Sequence, residues 1–116
     1  MNKALATLAL LASFAAHAEP LTCADAKACE RMWSDAQEAV GAVSNMRIRL
    51  LTDSRIETFA PSTYGRTGAT VTKVPAGDGY EIRLQIECYR SSNNSASCDK
   101  IRSLMDDLFT LMLTRR

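Results

Sequence analysis

A strict alternation of apolar and polar residues runs from Gly79 to Tyr89. On one side of an extended chain it places Tyr80, Ile82, Leu84, Ile86 and Cys88, and on the other side Glu81, Arg83, Gln85 and Glu87. This two-residue period is typical of a β-strand that has one face on an apolar core and the other in water. Because a shift of one residue would exchange the two faces, the sequence itself sets the pairing register of this strand.

The segment Met46–Ala60 has the same two-residue period, which continues through Ile56. Its fifteen residues exceed the usual length of a strand, so we expect an interruption near Thr52–Ser54. The interruption is either a bend or bulge within one strand or a tight hairpin between two strands. The unbroken phase favours the bent strand.

Two neighbouring stretches complete the predicted sheet. Ala69–Val74 is rich in Thr and Val, which favours another strand. Pro75–Gly79 supplies the glycines of a hairpin connection between this strand and the one that follows it. Pro61–Gly68 is a loop by composition, since it contains two glycines, a proline and small polar residues.

Apolar residues three and four positions apart predict a first helix from Asp25 to Ala42. They are Cys29, Trp33, Ala36, Val40 and Val43. Thr22 or Asp25 can cap the first turn of this helix. Trp33 is its main core anchor in this interpretation, and stacking of the ring on a ligand is the alternative.

The same spacing predicts a second helix from Asp99 to Arg116, after the polar loop Ser91–Ser97. Its apolar positions are Ile101, Leu104, Met105, Leu108, Leu111 and Met112. Phe109 and Leu113 widen the apolar surface, so this helix is either well buried or leaves an apolar strip for a partner.

The order of these elements predicts an α+β fold in which a helix, an antiparallel meander and a second helix follow one another. The meander has three strands, or four if Met46–Ala60 forms a hairpin. Both helices then cover the apolar face of the sheet, which gives a two-layer domain. We see no internal repeat and no linker long enough to divide the chain.

The first 18 residues have the pattern of a secretory signal peptide. Met1–Lys3 is positively charged, Ala4–Ala15 is uncharged and largely apolar, and Ala16–Ala18 has small residues at both positions that a signal peptidase reads. The apolar run is too short to span a bilayer, which needs about 20 residues. We therefore expect cleavage after Ala18 and export to the periplasm of a Gram-negative bacterium, or secretion.

Cleavage would change the composition in two ways that bear on function. Of 116 residues, 98 would remain as one small domain, residues 19–116, with thirteen basic and thirteen acidic residues after Lys3 is lost. A net charge of zero argues against a nucleic-acid binder. The single histidine, His17, would also be lost, which excludes Ser-His, Cys-His and His-metal chemistry. We expect no cofactor, no metal and no membrane span.

Four cysteines in a small exported chain predict two structural disulfides. The cysteines are Cys23, Cys29, Cys88 and Cys98. One pairing is local, Cys23 with Cys29 and Cys88 with Cys98, and we favour it slightly. Six helical residues rise about 9 Å, which is too far for a disulfide, so Cys23 would have to precede the first helix and fold back. The other pairing, Cys29 with Cys88 and Cys23 with Cys98, joins the helix to the sheet.

The polar residues suit a binding surface better than a reactive centre. The candidate partner-binding residues are Tyr64 and Arg66 in the Pro61–Gly68 loop and Arg47, Arg49 and Arg83 on the sheet. Tyr and Arg are frequent anchors of protein interfaces. The less specific interpretation is that the sheet arginines form solvent-exposed ion pairs with neighbouring glutamates and that the loop is only solvated.

We therefore expect a protein that binds another protein and has no catalytic residues. It could be an inhibitor or immunity protein, or an accessory component of an envelope machine. The alternatives are a small carboxylate-dependent hydrolase, which would bring Glu57, Glu81 or Glu87 together in a deep pocket, and a purely structural envelope component. The sequence does not indicate the identity of the partner or the oligomeric state.

Overall fold

The computed structural model describes residues 21–115, so the predicted signal peptide, its cleavage site and His17 lie outside the described residues. Within that range, an antiparallel sheet of five strands is covered on one face by two helices. The elements are β1 (Leu21–Cys23), α1 (Ala26–Val43), β2 (Ile48–Leu51), β3 (Arg55–Thr58), β4 (Thr67–Ala76), β5 (Gly79–Cys88), a 3₁₀ turn (Arg90–Asn94) and α2 (Ala96–Thr114).

The sheet is centred on the long hairpin of β4 and β5. Its strand order is β1-β5-β4-β3-β2, and every neighbouring pair is antiparallel. The hairpin register runs from Thr67 opposite Cys88 to Ala76 opposite Gly79. At its turn Gly77 has a φ of 60°, a left-handed conformation that glycine adopts without steric cost.

The predicted alternation is confirmed along β5 from Ile82 to Cys88, whereas Tyr80, which was predicted to lie on the core side, is exposed. Ile82 and Ile86 are 2% and 3% exposed, whereas Arg83 and Gln85 between them are exposed. The buried side chains join residues of both helices in one core: Trp33, Ala36, Ala39, Val40, Val43, Ile56, Ala69, Val71, Ile82, Ile86, Phe109 and Leu113. Trp33 is a core residue as expected, and its indole Nε1 donates to the Thr52 carbonyl at 3.1 Å.

The second helix combines both of the alternatives expected for it. Phe109 and Leu113 are buried in the core, while Leu104 and Leu111 are 63% and 61% exposed on the opposite side. The helix begins earlier than predicted because Ser95 caps it, with its hydroxyl accepting from the Cys98 amide at 3.0 Å.

The α+β class is confirmed, but the strand count is not three or four. The preference for one bent strand over Met46–Ala60 was wrong, because β2 and β3 form a hairpin. At its turn the Thr52 hydroxyl accepts from the backbone amides of Ser54 and Arg55 at 3.2 and 2.9 Å. A register shift between Ile48 and Leu50 places Leu51 opposite Ile56, so that Leu51, and not Leu50 as predicted, shares the face of Ile56. Ile48 and Ile56 are therefore in phase only because this shift and the turn offset each other, and all four residues of β2 are exposed.

The other additional strand is β1, which the sequence pattern did not predict. Leu21 lies opposite Ile82 and Cys23 opposite Tyr80, so β1 covers one end of the β5 edge. The close approach of β1 depends on Gly79, since a Cβ there would lie 1.9 Å from the Cys23 carbonyl oxygen. Thr22 is therefore part of a strand, and Asp25 is the residue that caps α1.

Both disulfides follow the local pairing. The Cα atoms of Cys23 and Cys29 are 5.1 Å apart, and those of Cys88 and Cys98 are 6.2 Å apart. Cys23 reaches its partner because it belongs to β1 and precedes α1, which begins at Ala26. The second bridge joins the end of β5 to the first turn of α2.

Candidate functional site

The arginines on the outer face of the sheet are engaged by glutamates. Arg49 contacts Glu57 at 3.0 Å, and Arg83 contacts Glu81 at 3.2 Å. The Glu81 carboxylate raises the pKa of Arg83, mainly through the hydrogen bond and also through its charge. Because β3 and β4 separate β2 from β5, the strands that carry Arg49 and Arg83 are three strand spacings, or about 14 Å, apart. These two candidate residues do not form one site.

Arg47 and Arg66, by contrast, meet at one end of the sheet. They line a hollow of about 290 Å³ together with Asn45, Met46 and Phe59. Backbone contacts hold this hollow in place, because the Phe59 amide donates to the Arg47 carbonyl at 2.9 Å. Arg66 reaches the Asn45 carbonyl through Nη1 at 3.4 Å. Phe59 is 46% exposed, so an apolar ring is open to solvent in a hollow that two arginines also line.

Tyr64 extends the same surface toward the end of β5. Its ring is 4.9 Å from that of Tyr89 in an edge-to-face arrangement, and the Arg90 guanidinium also lies 4.9 Å from the centre of the Tyr89 ring. A second hollow of about 190 Å³ contains Tyr64, Arg66 and both cysteines of the Cys88–Cys98 bridge among its lining residues. Arg66 lines both hollows and connects them.

We call this region the basic–aromatic surface, and it consists of Arg47, Phe59, Tyr64, Arg66, Tyr89 and Arg90. Among the described residues, no carboxylate lines either hollow or pairs with one of its three arginines. Its positive charge is therefore not neutralised within the described part of the fold.

Sequence reasoning missed three members of this surface. The sequence pattern placed Phe59 in a predicted strand and Tyr89 at the end of another, and it placed Arg90 in no predicted element. Tyr89-Arg90 is followed at once by a polar Ser/Asn stretch, and an aromatic–arginine pair at such a boundary is a usable signal, because it matches Tyr64 and Arg66 in chemistry.

A larger cavity of about 510 Å³ lies beside the edge of β5. It is lined by Thr70, Leu84, Gln85, Ile86, Glu87, Asn93, Arg102 and Asp106. Arg102 closes one end, since its Nε donates to the Ile86 carbonyl at 3.1 Å. Asn93 accepts from the Cys88 amide at 2.9 Å and from Arg102. Partial burial raises the pKa of Asp106, and the neighbouring Asp107 carboxylate raises it further.

The three glutamates considered for a hydrolase do not converge. Glu57, on β3, is paired with Arg49 and Arg55. Glu81, on β5, is paired with Arg83. Glu87 lines the edge cavity, six residues further along β5, which corresponds to about 20 Å of extended chain.

Three comparisons complete the description of the site. No protein-family model matches the chain, and no curated protein or solved structure shows detectable similarity to it. Across residues 21–115, no helix is long and apolar enough to cross a membrane. The same part of the chain has no group of three or more cysteine, aspartate, glutamate or histidine side chains that could hold a metal ion.

Proposed function

We propose that this protein is a small exported protein that binds an acidic region of another protein through the basic–aromatic surface. The observation on which this depends is the contrast between two sets of arginines. Arg49 and Arg83 have glutamate partners on the sheet, whereas Arg47, Arg66 and Arg90 have no carboxylate partner among the described residues.

The chemistry of the surface indicates the kind of partner. A guanidinium group binds a carboxylate through two parallel hydrogen bonds, and such charge-assisted bonds are stronger than neutral ones. Phe59 and Tyr64, which are 46% and 68% exposed, offer flat apolar area beside these charges. Aromatic rings with arginines are the usual anchors of a protein interface.

Disulfides support the exported location. Cys23–Cys29 and Cys88–Cys98 account for all four cysteines, and disulfides persist in oxidising compartments such as the periplasm. In that compartment the protein acts either as an inhibitor or immunity protein or as an accessory component of an envelope machine.

Capture from an envelope extract with the chain that begins at Glu19 tests this proposal. We expect the wild-type protein to retain a partner at micromolar concentration, with the interaction weakening as salt is added. Arg47→Glu should lower the affinity by about tenfold or more, because it places a like charge against an acidic partner. The measurement is the dissociation constant for the captured partner, by calorimetry.

Arg31→Glu is the matched control, since Arg31 is exposed on α1 and lies outside both hollows. Arg83→Gln tests the outer face of the sheet as the alternative binding surface. Absence of any bound protein, or an equal loss of affinity in Arg31→Glu, would contradict the proposal. If the partner is an enzyme, loss of its activity on binding indicates the inhibitor role, and unchanged activity indicates the accessory role.

A further inference from the structure

β2 forms one edge of the sheet and presents apolar side chains there. Among the described residues it pairs only with β3, so its other side has no neighbouring strand in this part of the chain. Ile48, Leu50 and Leu51 are 41%, 37% and 50% exposed. An exposed apolar edge strand is a template for pairing with another strand, and the spacing of its backbone groups decides which strand can fit.

Two hydrogen bonds toward β3 fix the direction of the backbone groups of β2. The Arg47 carbonyl accepts a bond from the β3 side at 2.9 Å, and the Thr52 amide donates one to that side at 2.8 Å. In a trans peptide the carbonyl of one residue and the amide of the next point in opposite directions. The Ile48 amide and the Leu51 carbonyl therefore point away from β3. Because an extended residue directs its amide and carbonyl to the same side, Ile48 and Leu51 each offer both groups to the free edge.

The bulge in β2 restricts which strand can bond to these groups. Along a regular strand the residues that face one edge are two positions apart, but Ile48 and Leu51 are three apart because of the register shift between Ile48 and Leu50. A regular strand that bonds to one of them is out of step at the other. A second copy of β2 has the same bulge, and in antiparallel orientation it places its Leu51 opposite Ile48 and its Ile48 opposite Leu51. Each of these two pairs can exchange both of its N–H···O bonds across a two-fold axis.

The apolar side chains of β2 suit this register. Ile48 lies opposite Thr58 and Leu51 lies opposite Ile56. Thr58 and Ile56 are buried, and residues directly opposite each other in a sheet point to the same face. Ile48 and Leu51 therefore point to the face that the helices cover, and across the two-fold axis each would contact its apolar counterpart.

The charges of β2 suit the same register. Arg49 comes opposite Leu50 of the second copy and keeps its own contact with Glu57 at 3.0 Å. A pairing shifted by one residue would place Arg49 directly opposite Arg49 of the second copy, and like charges in that position are destabilising. It would also separate Ile48 from Leu51 of the second copy.

We propose that β2 pairs in antiparallel orientation with β2 of a second copy of this chain, with Ile48 opposite Leu51, and joins the two sheets into one. Because β2 has four residues, the buried area falls below the roughly 1,200 Å² at which stable complexes begin. The dimer is therefore reversible and depends on protein concentration. The residues of the basic–aromatic surface lie outside β2, so this pairing does not depend on the proposed function.

Sedimentation equilibrium of the chain used for capture tests the dimer. We expect a monomer–dimer equilibrium with a dissociation constant of about 10–100 µM, as suits a small interface. Leu51→Lys should raise this constant by about tenfold or more, because it brings an ammonium group into the apolar pair at the edge. Leu104→Lys is the matched control, since it makes the same change at a leucine that is 63% exposed on α2. It should leave the dissociation constant unchanged, and circular dichroism checks that both variants are folded. A monomer at every concentration up to about 1 mM, or an equal effect of Leu104→Lys, would overturn the proposal.

Introduced cysteines test the register of the pairing. When Ile48→Cys and Leu51→Cys chains are mixed, the two new thiols face each other with Cα atoms about 5.5 Å apart, which is within the range of a disulfide. Mild oxidation should therefore crosslink the mixture. Either variant alone should give about a tenth as much crosslinked dimer or less, because its two new cysteines are offset by about 10 Å along the strands. Equal crosslinking of one variant alone, or none in the mixture, would overturn this pairing.

Discussion

Arg90 combines an exposed charge with an unfavourable backbone conformation. Its φ is 46°, in the left-handed region that costs an L-residue about 1–2 kcal/mol. Such residues are concentrated at functional sites, where the surrounding structure holds them in place. The neighbouring Cys88–Cys98 bridge and the contact between Arg90 and the Tyr89 ring constrain this position.

A pair of substitutions at this residue separates strain from charge. Arg90→Gly relieves the strain and loses about 0.5–1 kcal/mol to the greater entropy of the unfolded chain, whereas Arg90→Ala retains the strain. We expect the glycine variant to be more stable than the alanine variant by about 0.5–1 kcal/mol in urea unfolding. Both should bind the captured partner equally weakly, because both lack the guanidinium. An alanine variant as stable as the glycine variant would show that the backbone is not strained.

At the scale of elements, the apolar periodicity of the sequence predicted the helices and strands whose formation depends on residues close together in the chain. β5 and α1 were predictable because each has one buried face with a regular spacing. The β2–β3 hairpin was not, because the bulge near Leu50 restored the phase that a turn would otherwise interrupt. β1 has three residues, too few for any pattern, and it forms through the Cys23–Cys29 bridge and the space that Gly79 leaves.

The candidate site shows the same division. Arg47 and Arg66 could be selected from the sequence by residue type and loop context, and the fold places them in one hollow. Nothing local separates them from Arg49, whose pairing with Glu57 depends on strand register. The contact of Tyr64 with Tyr89 joins a loop to the end of β5, so it depends on the tertiary fold.

The Thr52 hydroxyl is the main side-chain support of the β2–β3 turn. It accepts from two backbone amides, and the Thr52 carbonyl accepts from Trp33 in the core. Thr52→Val keeps the side-chain shape and removes these two contacts together with the hydrogen bond that the hydroxyl donates to the Arg55 carbonyl at 3.4 Å. We expect a loss of about 1–2 kcal/mol in urea unfolding. Thr63→Val, at an exposed loop position, should change stability by less than about 0.5 kcal/mol, and equal losses would rule out this role for Thr52.

For the molecule as a whole, a chain of this size buries only about 60–70% of its unfolded surface, so crosslinks add substantially to its stability. The two disulfides close loops with sequence separations of 6 and 10 residues. On the chain-entropy estimate each contributes about 2–3 kcal/mol. Their stability effects should therefore be similar, although their positions differ.

Position is what distinguishes the two bridges. Cys23–Cys29 holds β1 against α1, whereas Cys88–Cys98 lines the second hollow of the basic–aromatic surface. Replacing either pair by alanine should cost a similar free energy of unfolding in urea. Only the Cys88/Cys98 replacement should speed hydrogen exchange in the Arg90–Asn94 turn and weaken binding, because that bridge positions Tyr89 and Arg90 at the end of β5. If removing Cys23–Cys29 loosened this turn as much, the second bridge would have no specific role in organising the surface, and its contribution would be to global stability alone.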